Sequence, residues 1–166
     1  MGKSLITKLI GVGVAIVIAV VASFIFSKGS EKVAEAKAPK VGECITVTGT
    51  VNAKTKDKDC GDSDATFKVT GNKGDCDPNE DTLSISVGKA DSGNVAELCL
   101  GLNAAKGDCF RLTATDSSKV ECAANKGDAE VALISSIGKS GTACANGGQP
   151  LDYKKRDTLL CLVPNA

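Results

Sequence analysis

Eight cysteines and one run of alternating acids are the residues of this chain best placed to do chemistry. The cysteines are Cys44, Cys60, Cys76, Cys99, Cys109, Cys122, Cys144 and Cys161. None forms a Cys-x-x-Cys pair, so a thioredoxin-type dithiol is absent. The nearest two, Cys99 and Cys109, are ten apart, too far for the close pairs of a zinc site made of four cysteines. What remains is oxidative pairing, and an even count in a small, loop-rich region reads as a disulfide framework made in an oxidising compartment. The acidic run Asp75-Cys-Asp-Pro-Asn-Glu-Asp81 places oxygen donors at alternating positions, as calcium loops do. Its candidate ligands are Asp75, Asp77, Asn79 and Asp81. It lacks the glycine at the sixth position and the downstream bidentate glutamate, so a solvated loop is the plainer reading. The same holds for Asp57, Asp59, Asp62 and Asp64.

Other chemistry is excluded by what the chain lacks. There is no histidine, which removes Ser-His-Asp and Cys-His catalysis and the commonest zinc and haem sites. Ser136-Ile-Gly-Lys139 matches S-x-x-K, but acylases of that kind seat the serine on a large helical domain this chain cannot build. Asn72-Lys-Gly-Asp75 and Asn125-Lys-Gly-Asp128 match a guanine-reading tetrapeptide; without a Gly-rich phosphate loop both are turns. Basic and acidic residues balance at 20 each, so no nucleic-acid partner is implied. No catalytic residue and no cofactor is expected. The one enzyme class left standing is a hydrolase using two carboxylates across a cleft.

The elements that must hold the cysteines repeat. Leu98-Cys-Leu-Gly-Leu-Asn103 returns as Leu160-Cys-Leu-Val-Pro-Asn165, and Gly42-Glu-Cys44 returns as Gly107-Asp-Cys109. Residues 41–104 and 105–166 are therefore read as tandem units with four cysteines each. In the first, Cys44–Val51 alternates, with Ile45, Val47 and Val51 on one face, and reads as a half-buried strand. A polar loop from Asn52 to Asp64 follows. Ala65–Thr70, with Ala65, Phe67 and Val69 inward, Thr82–Val87 and Val95–Leu100 complete the unit. In the second, Phe110, Leu112 and Ala114 take the inward positions of Ile45 and Val47. Ala129, Val131 and Leu133 are expected where Ala65, Phe67 and Val69 stand. No linker separates the units, which predicts a packed junction.

Aromatic residues make up 3% of the chain and tryptophan is absent, so the cores are small. Units of this size bury only about 60% of their unfolded surface. Disulfides, each contributing about 2–4 kcal/mol, supply the missing stability. Requiring bonds within units, in the same pattern twice, leaves three connectivities. First-with-second and third-with-fourth is preferred, because each bond would then pin neighbouring strands of a meander. That gives Cys44–Cys60, Cys76–Cys99, Cys109–Cys122 and Cys144–Cys161.

Upstream, residues 9–26 carry no charge, about 27 Å of helix and close to a bilayer's hydrocarbon thickness. This core is longer than the apolar stretch of a signal peptide, so residues 1–27 are read as an uncleaved transmembrane anchor and 28–40 as a charged, Ala-rich tether. Lys3 and Lys8 precede the span, against Lys28, Lys32, Lys37 and Lys40 after it, which by charge alone favours a cytosolic C-terminal region. Long domains translocate largely regardless of charge and disulfides need the outside, so residues 41–166 are placed outside.

Val41-Gly-Glu-Cys44, Asp59-Cys60, Ala65-Thr-Phe-Lys-Val69, Leu98-Cys-Leu-Gly-Leu-Asn103 and Lys106-Gly-Asp-Cys-Phe110, in that order, resemble the LppU-type actinobacterial cell-envelope proteins. The resemblance covers residues 41–110 well and 111–166 more loosely. It implies an envelope-exposed, disulfide-containing module. Proteins of this type are often lipoproteins, and this chain departs from them in lacking a cysteine close behind the span. The expectation is a single-pass cell-membrane protein with an all-β extracytoplasmic region of small antiparallel sheets or partly open barrels. It would act as a non-catalytic interaction module towards an envelope protein or the cell wall. Alternatives are an accessory subunit of a membrane complex and the carboxylate-only glycan hydrolase.

Overall fold

Alternating apolar and polar residues dominate the chain beyond residue 43, and they assemble as two antiparallel sheets of five strands each. This is seen in a computed structural model, which describes residues 38–48, 54–86, 95–114 and 116–166. The first unit contains β1 (Cys44–Thr48), β2 (Lys54–Lys58), β3 (Phe67–Asn72), β4 (Asp81–Ser86) and β5 (Val95–Leu102), in the spatial order β2-β1-β3-β5-β4. The second contains β6 (Cys109–Leu112), β7 (Ser117–Val120), β8 (Val131–Gly138), β9 (Gln149–Tyr153) and β10 (Thr158–Pro164), in the order β7-β6-β8-β10-β9. The two orders are the same, so the repeat is one of topology. The fold is all-β, with only short 3-10 turns between strands. Among the described residues no helix is long and apolar enough to cross a membrane. The expected span at 9–26 lies outside them.

These sheets are not meanders. β1 is antiparallel to both β2 and β3, so β2 and β3 run parallel and the chain between them must cross β1. β5 is likewise flanked by β3 and β4, and the β3–β4 connection crosses β5. Parallel neighbours usually need a crossover of a dozen or more residues, most often a helix. Here each crossover is a short loop, and each loop carries a cysteine bonded to the strand it crosses. Cys60 on the first loop joins Cys44 of β1, and Cys76 on the second joins Cys99 of β5. Cys122 joins Cys109 of β6 and Cys144 joins Cys161 of β10 in the same way. The pairs are those favoured from spacing, but they strap loops across strands rather than pinning strand to strand. No described cysteine is free.

The repeated motifs have the same local role in each unit. Gly42 and Gly107 both take φ of 96°, a left-handed conformation that glycine adopts without strain. The acid that follows closes the turn, with Glu43 Oε2 accepting from Lys40 N and Asp108 Oδ2 accepting from Ala105 N, each at 2.7 Å. The terminal asparagines clamp the first crossover loop of their units. Asn103 Nδ2 donates to the carbonyls of Cys60 and Ala65, and Asn165 Nδ2 donates to those of Cys122 and Asn125. A bulge at Thr70 recurs at Ser135, where each hydroxyl donates to the carbonyl of the strand cysteine beside it, Cys99 or Cys161.

One alignment shifts by a residue. Cys44 faces Lys68 and Cys109 faces Leu133, so Ala132 and Ile134, not Val131 and Leu133, stand where Phe67 and Val69 stand. A one-residue slip exchanges the two faces of a strand, and the continuous apolar run Val131-Ala-Leu-Ile134 cannot fix the choice by alternation. The correct pairing shows how volume is conserved. In the first sheet Ile45 lies beside Phe67; in the second Phe110 lies beside Ala132. The aromatic ring has moved to the neighbouring strand and a small residue faces it. Three strands form where alternation gives no sign of one. β2, Lys-Thr-Lys-Asp-Lys, falls in the expected polar loop, β7 reads Ser-Ser-Lys-Val, and β9 contains Pro150. All are edge strands, where a polar sequence or a missing N–H is tolerated because one side of the strand has no ladder partner.

Phe110→Ile is expected to cost roughly 1–3 kcal/mol, and Ala132→Phe a similar amount through overpacking. Combined, they recreate the Ile45–Phe67 arrangement, and urea denaturation of the double variant should show a loss at least about 1 kcal/mol smaller than the sum. Additive losses would show that the two positions do not share one volume.

Candidate functional site

The acidic run singled out from the sequence lies on the second crossover loop of the first unit, from Asp75 beside Cys76 to Asp81 at the start of β4. Two of its carboxylates are buried, Asp77 and Glu80. The loop is internally braced: Asp77 N donates to Glu80 Oε2 at 2.6 Å, and Asn79 N donates to Asp77 Oδ1 at 3.0 Å. The remaining acceptors meet the turn between β9 and β10 of the second unit, Lys154–Asp157. Arg156 Nε donates to Glu80 Oε1 at 2.9 Å, and its Nη1 to Asp75 Oδ2 at 2.8 Å. Its Nη2 reaches the Asp75 carbonyl at 2.8 Å and Glu80 Oε2 at 3.2 Å. Lys155 N donates to Asp77 Oδ2 at 2.9 Å, and Asn79 Nδ2 donates to the Asp152 carbonyl at 2.8 Å. The loop thus holds a cation, and that cation is this chain's own guanidinium.

This bears directly on the calcium set Asp75, Asp77, Asn79 and Asp81. Asp75 and Asp77 point their oxygens at Arg156 and at backbone amides, and Asn79 directs its side chain to Asp152. Asp81 starts β4 on the sheet face that carries Leu83 and Ile85, opposite Leu100. Asp75, Asp77 and Asp81 do not form a cluster of mutually close ligand atoms among the described residues. The group that does is Cys76, Glu80 and Cys99, whose ligand atoms lie within 4.8 Å of one another. Its sulfurs are bonded to each other, which removes the thiolates a metal would take, and its carboxylate is engaged by Arg156. The cue was the loop's alternation; the arginine partner, distant in sequence, gave no local signal.

Electrostatics follow the geometry. Hydrogen bonding to Glu80 raises the Arg156 pKa above its ordinary value, with Asp75 adding to the effect. Arg156 in turn holds the Asp75 carboxyl below the usual carboxylate range. Burial pushes Asp81 up to about 6. Tyr153, buried in the second core, accepts a hydrogen bond from Leu102 N at 3.2 Å, and burial moves its phenol far above the ordinary range. Leu102 packs against both apolar clusters. Lys119 of β7 completes the junction, its N donating to Thr66 Oγ1 at 3.3 Å. Gly71 admits the guanidinium, since a Cβ there would stand 2.6 Å from Arg156 Nη2. The expected packed junction is present, built from the Arg156 ion pairs, the Leu102–Tyr153 contact and the Lys119–Thr66 hydrogen bond.

The other motifs fall where their bland readings put them. Ser136 lies in β8 facing Cys161, and Lys139 is exposed beyond the strand's end; three residues apart on extended chain, they are not presented to one face. Asn72–Asp75 and Asn125–Asp128 are turns closed by Asp75 N to the Asn72 carbonyl and Asp128 N to the Asn125 carbonyl, with glycine at positive φ in each. In the first crossover loop Asp64 pairs with Lys58, which lowers its pKa, and Asp59 caps the turn at Gly61. The chain matches no family model, no curated protein and no solved structure.

Glu80 is wholly excluded from solvent at its side chain, so removing its counter-ion leaves a buried, uncompensated charge. Arg156→Ala should destabilise by about 3 kcal/mol in urea titration, and Arg156→Ala with Glu80→Gln by clearly less. Equal losses in the single and double variants would remove the ion pair from the account. Asp81 gives a pH signature of definite sign. Its folded pKa is raised, so the native state holds a proton the unfolded chain has released between about pH 4 and 6. Stability from this residue therefore falls as pH rises through that window. Asp81→Asn should be more stable than wild type at pH 7.5, by up to about 3 kcal/mol, with the gain vanishing near pH 4.

Proposed function

We propose that this protein is a membrane-anchored, extracytoplasmic component of the cell envelope that presents a non-catalytic, disulfide-bonded β module to another envelope protein or to the cell wall. The observation that carries this reading is that every described cysteine is spent in strapping a crossover loop. A fold that depends on four such bonds belongs to an oxidising compartment. The uncharged run at 9–26 supplies the means of holding it there. Non-catalytic action is favoured by the use of the most concentrated carboxylates, Asp75, Asp77 and Glu80, in docking the second unit. Acids engaged in this way are not free to serve as an acid–base pair across a substrate. The resemblance to LppU-type proteins points the same way.

Protease treatment of intact cells, followed by non-reducing peptide mapping, tests sidedness and bonding together. Residues 41–166 should be degraded without cell lysis, and the fragments should carry Cys44–Cys60, Cys76–Cys99, Cys109–Cys122 and Cys144–Cys161. Protection from external protease, or titratable thiols in freshly isolated protein, would overturn the placement. Hydrolysis of a glycan by the purified protein would overturn the non-catalytic reading.

A further inference from the structure

A five-stranded open sheet has two edges, and the four edges here are not treated alike. β2 reads Lys-Thr-Lys-Asp-Lys, a charged edge that resists pairing with another strand. β9 carries Pro150, which has no N–H to offer. β7 is four residues long, and its Lys119 N is already bonded to Thr66 of the first unit. β4 carries one charged residue, Asp81 at its first position, and otherwise has none of these devices. From Thr82 onward it reads Thr-Leu-Ser-Ile-Ser, with no charge and no proline. It is the outermost strand of the first sheet, and no backbone bond of its residues beyond the ladder to β5 occurs among the described residues.

The strand is also complementary to itself. Leu83 and Ile85 are buried on the core face, while Thr82 and Ser84 lie on the other. Turned antiparallel about a two-fold axis through Ser84, one strand sets Leu83 beside Ile85 of a second copy and Ser84 beside Ser84. Apolar then meets apolar and hydroxyl meets hydroxyl. The two Asp81 carboxylates fall at opposite ends of the pairing, so they do not oppose each other. We propose that β4 is the self-association edge of the protein, joining two copies as an isologous dimer through one continuous sheet. This is independent of the membrane-side assignment above. Strand pairing alone covers little area, so the affinity is micromolar rather than nanomolar.

The test uses the full chain in detergent, with mass from sedimentation equilibrium at up to about 100 μM, a range that captures micromolar dissociation constants. Wild type should approach twice the chain mass; a monomer throughout overturns the proposal. Ser84→Lys is tolerated in the monomer because Glu97 of β5 lies opposite on the same face. In the dimer it places two ammonium groups together at the axis, and association should weaken at least tenfold. Undiminished association would place the contact elsewhere. Mixing Ser84→Lys with Ser84→Glu should restore dimer as the mixed pair, and failure to do so overturns the two-fold register. Thiol titration and circular dichroism verify that each variant keeps its bonds and sheets. Should Ser84→Lys fail that check, the smaller Ser84→Asp, which sets two carboxylates together at the same axis, replaces it with the same expected loss.

Discussion

Two parallel strands separated by a single antiparallel one force the chain to cross over, and this fold crosses four times without a helix. A bare loop laid over a sheet has little to hold it there, since it buries few apolar groups and must satisfy its own backbone. The disulfides resolve this. Cys44, Cys99, Cys109 and Cys161 sit on the strand faces opposite the apolar clusters, where alternation with Ile45, Leu98 and Leu100, Phe110, and Leu160 and Leu162 puts them. Each reaches up to the loop passing above it. The same bonds that close the loops therefore also roof the outer face of each sheet, which explains why these four sulfurs are buried although they point away from the core. Asn103 and Asn165 complete the closure by hydrogen bonding, each taking two carbonyls of a crossing loop.

The junction between units follows from the same loops. The second crossover of the first unit bears acids, and its counterpart in the second unit, Ala145-Asn-Gly-Gly-Gln149, bears none. The contact is head-to-tail: a turn of the following unit docks on a loop of the preceding one. The second unit's loop offers no carboxylate to an arginine, so the same docking is built on the first unit's loop alone of the two. Within the pair, a buried glutamate gripped by Arg156 and the shared Leu102 give the units a common seam.

This arrangement also explains why acids that look available in the sequence are not. Alternating oxygen donors suit a divalent cation and a guanidinium alike, and the loop's choice depends on what the fold delivers to it. Asp81, left over on the core side of an edge strand, keeps its carboxyl in a desolvated place without a cationic partner among the described residues, and burial shifts it.

Much was legible from residue order alone. Period-two alternation announced strands, the doubled Gly-acid-Cys and Leu-Cys-Leu pieces announced two copies of one unit, and the even, matched cysteine spacing limited the bonds to three patterns. These features are local or repeated, so the sequence displays them directly. Edge strands such as Lys54–Lys58 escaped because a strand paired on one side can be polar throughout. The inward face of β8 escaped because Val131 to Ile134 is apolar at every position, and register is then set by the neighbour across the ladder. Only the tertiary structure decided the crossing of loops over strands, the exchange of an aromatic between adjacent strands, and the arginine that fills the acidic loop. Each of these depends on which distant segment arrives beside which, and a contact between residues some eighty positions apart, as between Asp75 and Arg156, leaves no mark on the neighbours of either.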